Sequence, residues 1–272
     1  MPRTLTRLRY HLVFGTRDHK PLIPVSSQKS LDSYIAGIIN QLRAVTLAIS
    51  SAKDHVHVLA SIPPSYSISS VMQKIKGSSS HWIKGHWKNG SEFSWQPGYS
   101  AFSVSESQSE RVKGYLERQE QFHEASSFQE ELTRLIEAHH LALDYVDRPT
   151  THTSLKYHLV FVTKNREPLI TTNLKRELYD RMKIIIQGRG GEVLEMNGVS
   201  DHVHVLARLK PSVPVARVVQ DIKGESSRWI SDELRPGSFF HWQEGYSAFT
   251  VSESLVEKVG SYIRDQELRH DT

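Results

Sequence analysis

Cysteine is absent from the 272 residues, which excludes disulfides, thiolate metal sites and a cysteine nucleophile. Any metal must then be held by imidazole, carboxylate, amide or water. No apolar run approaches the roughly 20 residues that a bilayer-crossing helix needs. The opening MPRTLTRLRYHLVF carries charges where a secretory leader would need an apolar stretch. These absences predict a folded protein of the cytoplasm without a membrane partner. Excess charge is also scarce: 34 Lys and Arg stand against 30 Asp and Glu, a net +4. Nucleic acid is therefore a permitted partner, but no blanket basic surface demands it. A hydrophobic content of 38% is enough for packed cores in one large domain or two of ordinary size.

What the sequence does contain is a second copy of itself. Laying residues 4–125 on 151–272 at a constant shift of 147 gives 54 identities in 122 pairs without a gap. That is far above chance and marks a tandem duplication. YHLVF at Tyr10 recurs at Tyr157, KPLI at Lys20 as EPLI at Glu167, and IKGSSSHWI at Ile75 as IKGESSRWI at Ile222. WQPGYSAFSVSES at Trp95 recurs as WQEGYSAFTVSES at Trp242. Each copy is too long for a solenoid unit and reads as a domain or as half of a pseudo-dimer. The chain thus divides into a first domain over 1–125, an unduplicated stretch over 126–150 and a second domain over 151–272. In the unduplicated stretch the spacing predicts a helix from Ser127 to Leu141, with Ser127 as N-cap and Glu130 three residues on. A linker marked by Asp147, Arg148 and Pro149 follows.

Within each copy the periodicity switches between two and 3.6. Leu8, Tyr10, Leu12 and Phe14 alternate with Arg9, His11 and Val13, the pattern of a half-buried strand. The first copy then predicts a helix over 27–43, strands over 45–50 and 54–62, a helix over 67–84, a strand over 99–104 and a helix over 106–123. This β-α-β-β-α-β-α order predicts an α+β class: two tandem ferredoxin-like domains with antiparallel sheets, each with its helices on one face.

The most distinctive repeated string is Asp-His-Val-His-Val-Leu-Ala, beginning at Asp54 and again at Asp201. On a strand, His55 and His57 share one face while Val56 and Val58 share the other, so two imidazoles stand side by side. His202 and His204 repeat the arrangement. Taken alone, such a pair fits ordinary half-exposed histidines opposite a buried valine row as well as it fits metal ligands. The last shared helix offers partners: Tyr115 precedes Gln119 by four residues, and Tyr262 precedes Gln266 by four, while Glu117 and Arg118 have become Arg264 and Asp265. Four residues is one helical face, which sets a phenol beside an amide oxygen. By itself this pair is equally well a core-edge tyrosine and a solvated glutamine.

With these elements in this order, YHLVFGTRDHKPLI, DHVHVLASIPP, VMQKIKGSSSHWI, WQPGYSAFSVS and Tyr-x-x-x-Gln, the sequence resembles the single-tyrosine transposases of the HUH class (His, hydrophobic, His). That class includes small insertion-sequence transposases and their REP-associated relatives. The resemblance covers nearly all of both repeats. It implies action on single-stranded DNA with hairpin ends and a tyrosine that forms a covalent 5′-phosphotyrosine, Tyr115 in the first half and Tyr262 in the second. It implies a divalent ion held by His55, His57 and Gln119, and again by His202, His204 and Gln266, with Mg2+ or Mn2+ able to serve. Relatives of this class are obligate dimers in which the tyrosine helix of one subunit can serve the other. The duplication then implies a monomer acting as an intramolecular pseudo-dimer, with the pairing of each tyrosine to a His pair left open.

Three function classes follow: a transposase that cuts and rejoins DNA, a domesticated nickase or nuclease of the same chemistry, and a DNA-hairpin binding protein without turnover. Weaker expectations concern other residues. Asp54 and Asp201 either orient an imidazole or open the strand. His11 and His158 read as satisfied structural histidines, and Trp95 and Trp242 as core rather than base-stacking residues. Lys76 and Lys223, with Arg17, Lys20, Lys164 and Arg166, are candidate phosphate contacts or simply solvated cations. Where relatives often have proline before the Asp-His pair, this chain has Lys53 and Ser200.

Overall fold

The computed structural model describes residues 4–88, 90–119, 127–141, 151–234 and 239–270, so the linker residues Asp147 to Pro149 lie outside the described residues. In chain order the strands and α-helices begin β1 (Leu5–Arg7), β2 (Arg9–Gly15), α1 (Gln28–Gln41), β3 (Val45–Ser51), β4 (His55–Ser61), α2 (Ile68–His86) and β5 (Tyr99–Val104). They continue with α3 (Ser109–Glu117), α4 (Phe128–Ala138), β6 (Thr151–Ser154), β7 (Lys156–Val162), α5 (Thr172–Gly188) and β8 (Glu192–Val199). The series closes with β9 (His202–Arg208), α6 (Val215–Trp229), β10 (Ser247–Thr250), α7 (Val256–Arg264) and α8 (Gln266–His270). The chain forms two compact units: one is Leu8–Ser154, the other joins the segment ending at Arg7 to the chain from Leu155 onward.

Each unit is built on one five-stranded sheet, β3-β4-β2-β5-β6 in the first and β8-β9-β7-β10-β1 in the second. The four inner-numbered strands of each repeat pair antiparallel in the ferredoxin-like order expected from the sequence. The fifth strand was not expected and runs parallel at the edge: β6 on β5, and β1 on β10. Residues 4–7 and 151–154 are equivalent in the duplication, so each repeat gives its leading strand to the sheet of the other. A run of three or four residues is too short to announce a strand by alternation. Its effect is to cover an edge whose N–H and C=O groups would otherwise lack partners.

Alternation along β2 and β4 sends Tyr10, Leu12, Phe14, Val56, Val58 and Ala60 to one face, where all are buried. There Phe14 meets Trp95 edge-on at 4.8 Å, and the buried Trp95 indole donates to Ser79 Oγ of α2 at 2.9 Å. Trp242 repeats this with Ser226 of α6, so both tryptophans are core residues. Lys76 is committed to the same corner: its Nζ donates to the carbonyls of Gln96 and Gly98, each at 2.6 Å, and burial lowers its pKa to about 8. Lys223 ties down Gln243 and Gly245 likewise. Gly98 and Gly245 both turn at φ 82, a region that suits glycine. These lysines brace a loop rather than face a phosphate, whereas Arg17, Lys20, Lys164 and Arg166 are exposed on the turns after β2 and β7.

The expectation that helices cover only one face is corrected. Leu116 of α3 packs with Leu59 and Val104, and Phe128, Leu132 and Ile136 of α4 pack with Val13 and Phe102, on the face that carries the histidines. In the second unit Ile263 of α7 packs with Leu206 and Val251 on the corresponding face. The apolar side chains placed between the histidines by the strand period need this second layer. Among the described residues no helix is long and apolar enough to cross a membrane.

Removal of residues 1–7 bares β10. Amide hydrogen exchange over Ser247–Thr250 is expected to accelerate by about tenfold or more, with β4 unchanged. Unaltered exchange in that peptide would refute the β1–β10 pairing.

Candidate active site

Strand β4 sets the two imidazoles 5.0 Å apart between ring centres and inclined at 76°. Each is anchored through Nδ1. Asp54 Oδ1 lies 2.6 Å from His55 Nδ1, and His11 Nε2 lies 2.9 Å from His57 Nδ1. The second half repeats both contacts: Asp201 Oδ1 to His202 Nδ1 at 2.6 Å, and His158 Nε2 to His204 Nδ1 at 2.8 Å, with the His202 and His204 rings 5.0 Å apart. Asp54 and Asp201 therefore orient an imidazole, the first of the two roles open to them. His11 and His158 are satisfied, as expected, but their partner is the His pair itself, a link that strand register rather than sequence spacing provides. His11 pairs across with Leu59 and His57 with Val13, so the two histidines are diagonal neighbours on one face.

Burial, helped by the nearby His139, lowers the His11 pKa to about 4, and burial lowers that of His158 to about 4. Both rings are neutral at pH 7. A neutral imidazole offers one donor and one acceptor, so the tautomer of His57 is tied to that of His11. For His55, burial pulls the pKa down, but the hydrogen bonds and charges of Asp54 and Glu131 prevail and raise it above the ordinary histidine value.

The tyrosines stand beside their own half's histidines. The Tyr115 ring is 6.0 Å from His57 and 6.2 Å from His11, and the Tyr262 ring is 5.7 Å from His204 and 6.2 Å from His158. The glutamines are less regular than a continuous helix would make them. α3 ends at Glu117 and α7 at Arg264, so each glutamine follows a break in the helix, although both are buried. Gln119 Nε2 donates to Glu131 Oε1 at 2.7 Å, while Gln266 Nε2 turns back to the carbonyl of Tyr262 at 3.1 Å.

Sequence reasoning missed Glu131. It lies on α4, the helix predicted from the capping pattern, and that capping box is formed: Ser127 accepts from Glu130 N while Glu130 accepts from Ser127 N. Phe128 stacks on His55 at 4.1 Å and 11°. One turn further, the Glu131 carboxylate comes within 3.4 Å of His55 Nε2 and 3.2 Å of His57 Nε2. It also accepts hydrogen bonds from the Tyr115 hydroxyl and from Gln119. Burial alone would raise its pKa, but the imidazoles and the Tyr115 hydroxyl outweigh that and hold it far below the usual carboxylate range. The same burial and the facing carboxylate push the Tyr115 phenol far above its ordinary value. The only signal in the sequence was indirect: Phe128, Leu132 and Ile136 mark a buried stripe, and Glu131 lies beside it.

The donor set suits a divalent ion. His55, His57 and Glu131 each offer a ligand atom within 4.8 Å of the others. Imidazole with oxygen donors is a combination taken by first-row divalent ions such as Mn2+.

Comparison with known proteins shows the family. The family model for IS200-like transposases matches twice, over residues 4–119 and 151–266. The chain belongs to the IS200-like transposase family, as two tandem copies of the family domain. The ISDra2 transposase TnpA of Deinococcus radiodurans is 29% identical over 119 residues, 41% of this chain and 84% of that protein. The transposase for insertion sequence element IS200 of Salmonella typhimurium is 26% identical over 121 residues, 43% of this chain and 79% of its own length. A solved REP-associated tyrosine transposase bound to a REP hairpin aligns over 43% of this chain and 68% of its own, at 14% identity and a TM-score of 0.37.

Asp54→Asn and Asp201→Asn should each weaken Mn2+ binding in their own half by about 10- to 100-fold, the usual cost of losing the partner of a ligating imidazole. Titration calorimetry reads this directly. Unchanged affinity in both variants would separate these aspartates from metal binding.

Proposed function

We propose that the chain cleaves and rejoins single-stranded DNA at hairpin-bearing ends through a tyrosine nucleophile, Tyr115 in the first half and Tyr262 in the second. The carrying observation is that a phenol stands about one ring's width from an anchored His pair in both halves. Membership of a transposase family supports DNA cleavage and strand transfer as the activity class. The hairpin, the single-stranded substrate and the 5′ linkage rest on the resemblance to the HUH class.

In this reading His55 with His57, and His202 with His204, would hold a Mg2+ or Mn2+ ion, with Gln119 and Gln266 as third ligands. Such an ion would supply positive charge to offset the negative charge that the transition state gathers. Asp54, Asp201, His11 and His158 fix the imidazoles by their Nδ1 atoms. The tyrosine oxygen attacks phosphorus and the P–O3′ bond breaks. The phenolic proton leaves to solvent or a nearby base, and the departing 3′ oxygen takes up a proton. The new phosphotyrosine ester keeps the energy of the broken bond, so a 3′ hydroxyl of another strand can reverse the attack and join the DNA.

Residues 1–125 and 151–272 act as the two catalytic halves, with 126–150 between them. One polypeptide then supplies as a pseudo-dimer, in a cytoplasmic monomer, what separate subunits supply elsewhere.

A labelled hairpin oligonucleotide incubated with Mn2+ or Mg2+ should give a denaturation-resistant adduct, abolished by chelation and by Tyr115→Phe combined with Tyr262→Phe. Tight hairpin binding with no adduct would instead identify a binding protein. Release of cut DNA without strand transfer would identify a nuclease.

A further inference from the structure

We propose that α1 and α2 of the first half carry a second contact for the DNA strand, where a stack of aromatic rings takes unpaired bases. The inference rests on the single-stranded DNA reading above and deepens it by adding a contact outside the catalytic centre.

The surface is built on one helical row. Lys74, Ser78, Trp82 and His86 follow one another at four-residue spacing on α2, so their side chains line one side of that helix. Tyr34 of α1 stacks on Trp82 at 4.6 Å and 13°, and His86 stacks on Trp82 at 5.2 Å and 25°. Three nearly parallel rings result.

The stack is anchored. His86 Nδ1 donates to the carbonyl of Trp82 at 2.8 Å, which fixes the imidazole. Trp87 meets Trp82 edge-on at 6.2 Å, and Phe93 meets Trp87 at 5.7 Å and Trp95 at 4.8 Å. These contacts run inward to Phe14, which points to the opposite face of β2 from His11. The stack therefore stands on the other side of the sheet from the His pair. Rings held in place beforehand lose little freedom when a base adds to them.

Exposure and charge fit a nucleic acid strand. Tyr34 and Trp82 are half-buried and His86 is exposed. Gly37 and Gly85, three residues beyond Tyr34 and Trp82, leave room beside the rings, since a Cβ at either would meet nothing within 4 Å. Helix α2 contains no Asp or Glu, while Lys74, His81 and Lys84 on it and Lys88 just beyond it are exposed. Flat π faces among cations suit alternating bases and phosphates. An apolar protein partner would call for a surround depleted of lysine.

The second half shows the same row with the opposite character. Asp221, Glu225, Trp229 and Glu233 stand where the first half has Lys74, Ser78, Trp82 and His86, and Arg181 stands in place of Tyr34. Arg189 pairs with Asp221 at 2.6 Å and with Glu225 at 3.7 Å, and Arg217 pairs with Asp221 at 3.1 Å. The Arg181 guanidinium lies over the Trp229 ring at 5.9 Å. Carboxylates along this row repel phosphate, and its arginines are engaged within the half, so the base-stacking contact belongs to the first half alone.

Fluorescence anisotropy with a labelled oligothymidine strand tests this on the full chain. Trp82→Leu should weaken binding by about 5- to 150-fold, the effect of losing one stacked base, while Trp229→Leu should change it by less than about twofold. Tyr34→Arg combined with His86→Glu should weaken it in the same range. These are the residue types that the fold already carries at Arg181 and Glu233, and circular dichroism checks each variant. An abasic strand of equal length should bind the unaltered chain and Trp82→Leu alike. Ultraviolet crosslinking to a strand carrying 5-iodouracil should label peptides containing Tyr34, Trp82 or His86.

Affinity unchanged in both first-half variants, or crosslinks confined to other peptides, would overturn the proposal. Both variants should still give the tyrosine adduct with saturating hairpin oligonucleotide, because they leave the His pairs and tyrosines untouched. An adduct in the unaltered chain together with unchanged strand affinity in the variants removes this surface alone. Absence of any strand binding by the unaltered chain removes the single-stranded DNA reading with it.

Discussion

The period of two along β4 governs the rest of the site. Val56 and Val58 are buried on the face they share with Tyr10, Leu12 and Phe14, and this obliges His55 and His57 to share the opposite face. Once there, each ring still has a rotation and a tautomer to settle. Asp54 settles the first, from the adjacent position in the chain, and His11 settles the second, from the neighbouring strand. Both halves keep this scheme to within about a tenth of an ångström in the anchoring distances. The unit shared by the two halves is therefore two hydrogen-bonded pairs side by side, Asp with His and His with His, larger than the three-letter motif that first draws attention.

Most of the ferredoxin-like frame was legible because it is written in periodicity. Leu8 to Phe14 alternate, the helices of the first copy carry apolar residues at helical spacing, and Ser127 with Glu130 marks a helix start that is formed as expected. What escaped was long-range or short. β1 and β6 have too few residues to carry a pattern, and their partners lie in the other repeat. The contact of His11 with His57 depends on register, which no spacing along one strand encodes. Glu131 escaped because an acidic residue beside a buried stripe ordinarily faces solvent. Only the packing of Phe128, Leu132 and Ile136 turns it inward.

The two halves have kept their active-site residues in common. Every histidine, tyrosine and glutamine of the first centre has its counterpart in the second, and α4 adds Glu131 to the first. Its consequences reach the chemistry of individual groups. A phenol that donates to a buried carboxylate is harder to ionise, and a carboxylate held by two imidazoles is easier to ionise. In the other half Tyr262 is 40% exposed.

The reciprocal placement of β1 and β6 bears on how the protein is made. Leu5 N donates to the carbonyl of Tyr246 at 2.9 Å, so β1 is made long before its partner strand. Contacts so distant in sequence carry a large loop-closure cost and form late. Strand β1 must wait until β10 has been made before its place in a sheet exists, and only then does the second sheet close its rim.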